Sequence, residues 1–152
     1  SKKQRKKSAM SLDTIRILLV EDNEADIVMT CEAFLDAKLR NEIAIARDGY
    51  EAMEYLRREG QFVDAVRPDI ILLDLNLPGP SGKDILKFVK SEAELKDIPV
   101  VILTSSEASY EVKEAYTLAA NCYIVKPVDM TKFIEIVRVI ENFWVQVVKL
   151  PA

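Results

Sequence analysis

With 152 residues, 49% of them hydrophobic and 30% charged, the chain has the size and composition of one globular domain with its own core, not of a disordered segment. Its net charge of −4 is uneven: residues 1–9 hold five positive charges and no negative one, which leaves 16 basic against 25 acidic residues, or −9, in the body. No apolar run nears the roughly 20 residues that span a bilayer, no apolar signal segment follows the basic start, and the lack of any histidine excludes His-based triads, most zinc sites and a phosphohistidine on this chain.

Residues 1–12 read as a basic, solvated tail, ahead of a domain over 13–149 and a short tail at 150–152. The acidic balance of the body argues against DNA binding by the domain itself. The first apolar run, Ile15–Val20, predicts a strand. A helical pattern follows, in which Ile27, Cys31, Phe34 and Leu35 form an apolar stripe ending on Lys38. Ile43–Ala46 predicts a second strand and, after an Asp48-Gly49 turn, a second helix runs from Tyr50 to Glu59. Asp69–Leu73 is the third strand. Pro78, Gly79, Pro80 and Gly82 then make a stiff turn, and Ser81 is placed to cap a third helix from Gly82 to about Glu92. Pro99–Leu103 is the fourth strand, about Ser109–Ala119 the fourth helix, and Cys122–Val125 the fifth strand. The final helix, from about Asp129 to Lys149, puts Phe133, Val137, Ile140, Trp144 and Val147 on one face. Cys31 and Cys122 are lone thiols without CxxC spacing, which suits a reducing, cytoplasmic location.

Strands alternating with helices make a repeated βα unit, hence a parallel sheet covered by helices on both faces. The runs beginning at Ile15, Asp69 and Pro99 are the most continuous and belong in the centre, whereas the run at Ile43 belongs nearer an edge. The fold class is therefore α/β, a doubly wound five-stranded parallel sheet of order 2-1-3-4-5, with its site outside the carboxyl ends of the strands. Those ends carry Glu21-Asp22 after the first strand, Asp74 after the third, Thr104 after the fourth and Lys126-Pro127 after the fifth. Three carboxylates in one cleft repel one another unless a cation sits among them. An all-oxygen site with room for water suits Mg²⁺, or Mn²⁺, better than zinc. With Asp74 central, a free carboxylate oxygen can attack phosphorus and form an aspartyl phosphate. Lys126 would neutralise the oxygens of the moving group, and Thr104 would hydrogen-bond the product.

Four motifs carry a family likeness: Val20-Glu21-Asp22-Asn23, Asp74-Leu75-Asn76-Leu77-Pro78 with Gly82, Thr104-Ser105, and Val125-Lys126-Pro127. Together they resemble the receiver domain of two-component response regulators, over residues 14–143; a chemotaxis receiver is itself a known example of the 2-1-3-4-5 order. The resemblance implies that Asp74 is the phosphoacceptor and that Asp22, Asp74 and the backbone carbonyl of Asn76 bind Mg²⁺, with Glu21 assisting through a water. It implies that Thr104 and Lys126 are the switch and phosphate-contacting residues, that Tyr123 is a switch aromatic, and that the Lys126-Pro127 bond is cis. The implied donor is a sensor histidine kinase. A narrower likeness, carried by Glu21-Asp22-Asn23-Glu24-Ala25-Asp26, Asn142-Phe143-Trp144 and Lys149-Leu150-Pro151, is to small response regulators that partner bacterial phytochromes.

Three rivals weigh less. A phosphohydrolase on a similar sheet wants a second acid two residues after the nucleophile, where this chain has Asn76. A nucleotide-binding domain wants a Gly-rich loop after the first strand, and the chain has four glycines in all. A phosphorylation-independent adaptor on the same fold would have no need of the full acidic set with Thr104 and Lys126. No effector segment follows Ala152 in this sequence, so output is expected through protein contacts. The segment Phe143–Val148 is apolar almost all round and invites a homodimer through Phe143, Trp144 and Val147, a surface that Tyr110 and Tyr116 would extend.

Overall fold

The computed structural model describes residues 14–37, 39–105, 113–115, 120 and 122–139. Among them, five strands form one sheet: β1 (Thr14–Val20), β2 (Arg40–Ala46), β3 (Ile70–Asp74), β4 (Val100–Thr104) and β5 (Cys122–Val125). The order is β2-β1-β3-β4-β5 and all four pairings are parallel, as the alternation of elements predicts. Register aligns the carboxyl ends, with Val20 beside Leu73, Asp74 beside Leu103 and Thr104 beside Val125. The site residues at four strand ends therefore share one rim.

The sheet is buried on both faces because successive side chains of a strand point to opposite sides. Leu18, Val20, Ile71, Leu73, Val100 and Ile102 pack on one face with Ala52 and Leu56 of α2 (Gly49–Arg57) and Ile85, Leu86 and Val89 of α3 (Gly82–Ser91). Ile17, Leu19, Ile70, Leu72, Val101 and Leu103 pack on the other with Ile27 and Phe34 of α1 (Glu24–Leu35) and Phe133 and Val137 of α4 (Met130–Val139). Phe34 and Phe133 meet edge to face, with ring centroids 4.7 Å apart. Every residue of β3 is buried, which explains its unbroken run of Ile and Leu. β2 is an edge strand, and its first half, Arg40 to Glu42, is exposed or half-buried. That polar half escapes a search for apolar runs, and so the strand begins three residues before the predicted Ile43.

Several expectations need correction. The third and fourth strands sit one residue later than predicted, and Asp69 stands outside β3, its carboxylate accepting the Arg16 N–H at 2.8 Å. Leu35 is 82% exposed and lies off the buried stripe of α1, where Thr30 joins Ile27 and Phe34 instead. Lys38 is outside the described residues. Asp48 is a helix N-cap accepting the Glu51 N–H, not part of a turn. Gly49 opens α2 where a Cβ would collide with the Pro80 carbonyl. Of the fourth predicted helix, residues 113–115 are described and helical, and Ala115 is buried. Tyr110, Tyr116, Phe143, Trp144 and Val147 lie outside the described residues, as does the final helix beyond Val139.

Candidate functional site

β1 is buried through to its end and then delivers Glu21, itself only 1% exposed. The Glu21 N–H donates to the Ala46 carbonyl at 3.0 Å, which extends the sheet by one bond, and Glu21 Oε2 accepts the Asn23 N–H at 3.3 Å. Asn23 caps α1 by accepting the Asp26 N–H at 3.0 Å. The chain thus leaves the sheet with Glu21 held inward, Asp22 exposed at the rim and Asp26 on the first helical turn.

Asp74 ends β3 and is 7% exposed. Its Oδ1 accepts the Asn76 N–H at 2.9 Å, and its Oδ2 accepts from Lys126 Nζ at 3.1 Å. The loop beyond it is braced from two sides. Gly82 donates its N–H to the Leu75 carbonyl at 3.1 Å, and Gly49 donates to the Pro78 carbonyl at 3.2 Å. Gly79 takes a positive φ of 74°, a conformation that suits glycine. Ser81 and Asp84 form a reciprocal capping box at the start of α3. The stiff turn read from the prolines and glycines is therefore present, with Asn76 exposed on it.

Lys126 follows β5, the Lys126-Pro127 bond is cis, and the Lys126 N–H donates to the Thr104 carbonyl at 2.8 Å. Its ammonium lies 2.5 Å from Glu21 Oε1, 2.9 Å from Asp26 Oδ2 and 3.1 Å from Asp74 Oδ2. The approach to Glu21 Oε1 is an ion pair without hydrogen-bond alignment. Burial opposes the charge on Lys126, but its close contacts with the carboxylates of Glu21, Asp26 and Asp74 outweigh it and raise the ammonium's pKa. Glu21 moves from the ordinary 4.5 to about 7, first because it is buried, then through a hydrogen bond with Asp74 and that neighbour's charge, with Lys126 pulling the other way.

Glu21, Asp22 and Asp74 each offer an oxygen, and the three oxygens lie within 4.8 Å of one another. An all-carboxylate donor set open to water, beside an acid that burial and a like charge hold near neutrality, fits a hard divalent cation such as Mg²⁺ or Mn²⁺. A cleft of about 410 Å³ lined by Asp22, Leu75, Asn76, Leu77, Pro78, Ser81 and Lys83 takes in one of these acids, Asp22. A larger cavity of about 820 Å³, bounded by Tyr55, Arg57, Arg67 and Phe88, takes in none of them. Thr104 is half-buried at the end of β4, and Tyr123 on β5 is half-buried against the core on the α2–α3 side. Every site residue predicted from sequence at the strand ends comes to this rim, except that Tyr123 stands back from it on β5. The sequence gives Asp26 no role, because its partner Lys126 lies one hundred residues away.

The family described as the response regulator receiver domain matches residues 17–138. Response regulator Rcp1 of Synechocystis sp. is 41% identical over 136 residues, covering 90% of this chain and 92% of Rcp1. The solved structure of the phosphorylated cyanobacterial phytochrome response regulator RcpA is similar with a TM-score of 0.72 at 45% identity, covering 91% of this chain and 99% of that one. The Mn²⁺-bound form of Rcp1 is similar with a TM-score of 0.71 at 40% identity, again over 91% of this chain and 99% of that one. Among the described residues no helix is long and apolar enough to cross a membrane.

Proposed function

The chain belongs to the response regulator receiver family, and from that premise we propose that Asp74 accepts a phosphoryl group from the phosphohistidine of a partner sensor histidine kinase. The observation that carries this is the Asp74 carboxylate, held at the end of a fully buried strand between two further acids and the Lys126 ammonium. A carboxylate oxygen of Asp74 attacks phosphorus, the P–N bond to the kinase histidine breaks, and the leaving imidazole nitrogen keeps the electron pair and takes a proton from solvent. Lys126 stabilises the charge spread over the phosphoryl oxygens in transit. Glu21, Asp22, Asp74 and the Asn76 carbonyl are the groups that would hold Mg²⁺ or Mn²⁺. Bound there, the cation would supply positive charge to the acids and the transferring group. The Mn²⁺-bound form of the relative Rcp1 supports that assignment.

The aspartyl phosphate adds about −1.5 to −2 charges at the rim. Thr104 is the hydroxyl placed to answer it, and Tyr123, on the next strand, is the aromatic placed to follow. Kinship with the cyanobacterial phytochrome response regulator RcpA supports a phytochrome as the kinase. The homodimer through the final helix rests on sequence alone; light scattering that finds a monomer at high micromolar concentration, phosphorylated or not, removes it. The central test is incubation with Mg²⁺ and a small acyl phosphate. An acid-stable, base-labile mass gain that is absent in Asp74→Asn is expected. No gain from either the small donor or a phytochrome kinase would leave the adaptor on this fold as the better account.

A further inference from the structure

Among the described residues, Lys126 faces three carboxylates, and an ammonium has three N–H donors to give. Two of those acids, Glu21 and Asp74, belong to the cluster whose oxygens suit a cation; Asp26 does not. Asp26 is instead fixed by the start of α1, where its own N–H is tied to the Asn23 side chain at 3.0 Å. A divalent cation drawn to Glu21, Asp22 and Asp74 takes up the negative charge that Glu21 and Asp74 present to the lysine, and sets a like charge beside the ammonium. The counter-charge left to Lys126 is then Asp26, 2.9 Å away.

On the assignment of Asp74 as phosphoacceptor, we infer that Asp26 is a positioning residue that anchors the Lys126 ammonium at the phosphoryl site once the cation is bound. One N–H stays with Asp26, and the rest of the ammonium, which faces Glu21 and Asp74, is released to the phosphoryl oxygens. The anchor matters because electrostatic help in phosphoryl transfer depends on placement, and a lysine that drifts toward solvent loses it. An acid in the first turn also favours the helix through the macrodipole, but that effect alone would change stability and not rate.

The test compares wild type with Asp26→Asn, Asp26→Ala and Asp26→Glu at saturating Mg²⁺, using a small acyl phosphate as donor. The maximal phosphorylation rate should fall roughly tenfold in Asp26→Asn, where a charge-assisted bond becomes a neutral one, and further in Asp26→Ala. Asp26→Glu should recover part of the rate, and the donor's KM and the melting temperature should stay near wild type. In ¹⁵N-lysine-labelled protein with Mg²⁺, the Lys126 ammonium should give a slowly exchanging signal in wild type that is lost in Asp26→Ala. Wild-type rates in Asp26→Ala, or a fall in rate with that signal intact, overturn the anchor. If wild type itself gains no phosphate, the assignment of Asp74 falls, and the ammonium signal still decides whether Asp26 holds Lys126.

Discussion

Adding a divalent cation should stabilise the fold, and by an amount that grows with pH. The reason is Glu21, whose carboxyl stands at about 7 in the folded protein against an ordinary 4.5. A raised acid favours the folded state while protonated. Its contribution is whole below about pH 4.5 and is lost as the pH climbs through 7, so this group makes metal-free protein less stable toward pH 8. The cation reverses that slope, because it is drawn by the carboxylates of Glu21, Asp22 and Asp74 together. At pH 8 Glu21 is already ionised, whereas at pH 6 a proton must leave first, which weakens binding about tenfold, or about 1.4 kcal/mol. A cation at a hundred times its Kd adds about 2.7 kcal/mol. For a domain of this size each kcal/mol moves Tm by about 2–4 °C, giving a rise of about 5–11 °C at pH 8 and about 3–5 °C less at pH 6. Differential scanning fluorimetry with Mg²⁺ at constant ionic strength reads both numbers. Asp22→Asn should shrink the rise and Glu21→Gln should remove its dependence on pH. An equal Mg²⁺ increment at pH 6 and pH 8 in wild type would refute the coupling.

Three further perturbations test the frame around the site. In Gly82→Ala the new Cβ would lie 2.5 Å from both the Asp74 carbonyl oxygen and Leu75 Cα; a loss of about 1–3 kcal/mol in urea unfolding is expected, with slower phosphorylation. Phe133 is fully buried against Phe34, so Phe133→Ala should cost about 3–5 kcal/mol by the same measurement. Ser81→Ala breaks the capping box of α3 and should lower the urea midpoint by an amount near 1 kcal/mol, with the m-value unchanged.

The site was legible because strand ends are easy to find and chemistry collects there. A short Ile-Ile-Leu-Leu run bounded by Pro68 and by the Pro-Gly loop reads as a strand covered on both faces, and the acid that follows it ends β3 at the sheet's rim. Edge strands and helix faces are harder. Arg40, Asn41 and Glu42 are in β2 because the β1 backbone offers them partners, and no apolar pattern marks that. In α1, Leu35 matched the helical spacing yet faces water, whereas Thr30, polar by type, is buried on the sheet side. Spacing gives the angle around a helix; which arc is covered depends on where the helix is set down. Asp26 was missed for the same reason, since its meaning comes from Lys126, one hundred residues away in sequence.

The strand alternation that buries the core also divides the rim. Asp74 shares its side of β3 with Ile70 and Leu72, which pack beneath α1 and α4, and Lys126 reaches across to Asp26 on α1. Thr104 continues the side of β4 that carries Val100 and Ile102, and Tyr123 packs on that same α2–α3 side. Glu21, Asp26, Asp74 and the lysine are therefore gathered toward one face of the sheet, Asp22 lines a cleft with Leu75 and Ser81, and the hydroxyl and aromatic proposed to respond lie toward the α2–α3 face. The two groups meet at the bond from the Lys126 N–H to the Thr104 carbonyl, where β4 and β5 end together. Thr104 ends β4 at that seam, so the proposed switch hydroxyl and the lysine belong to residues joined by one backbone hydrogen bond.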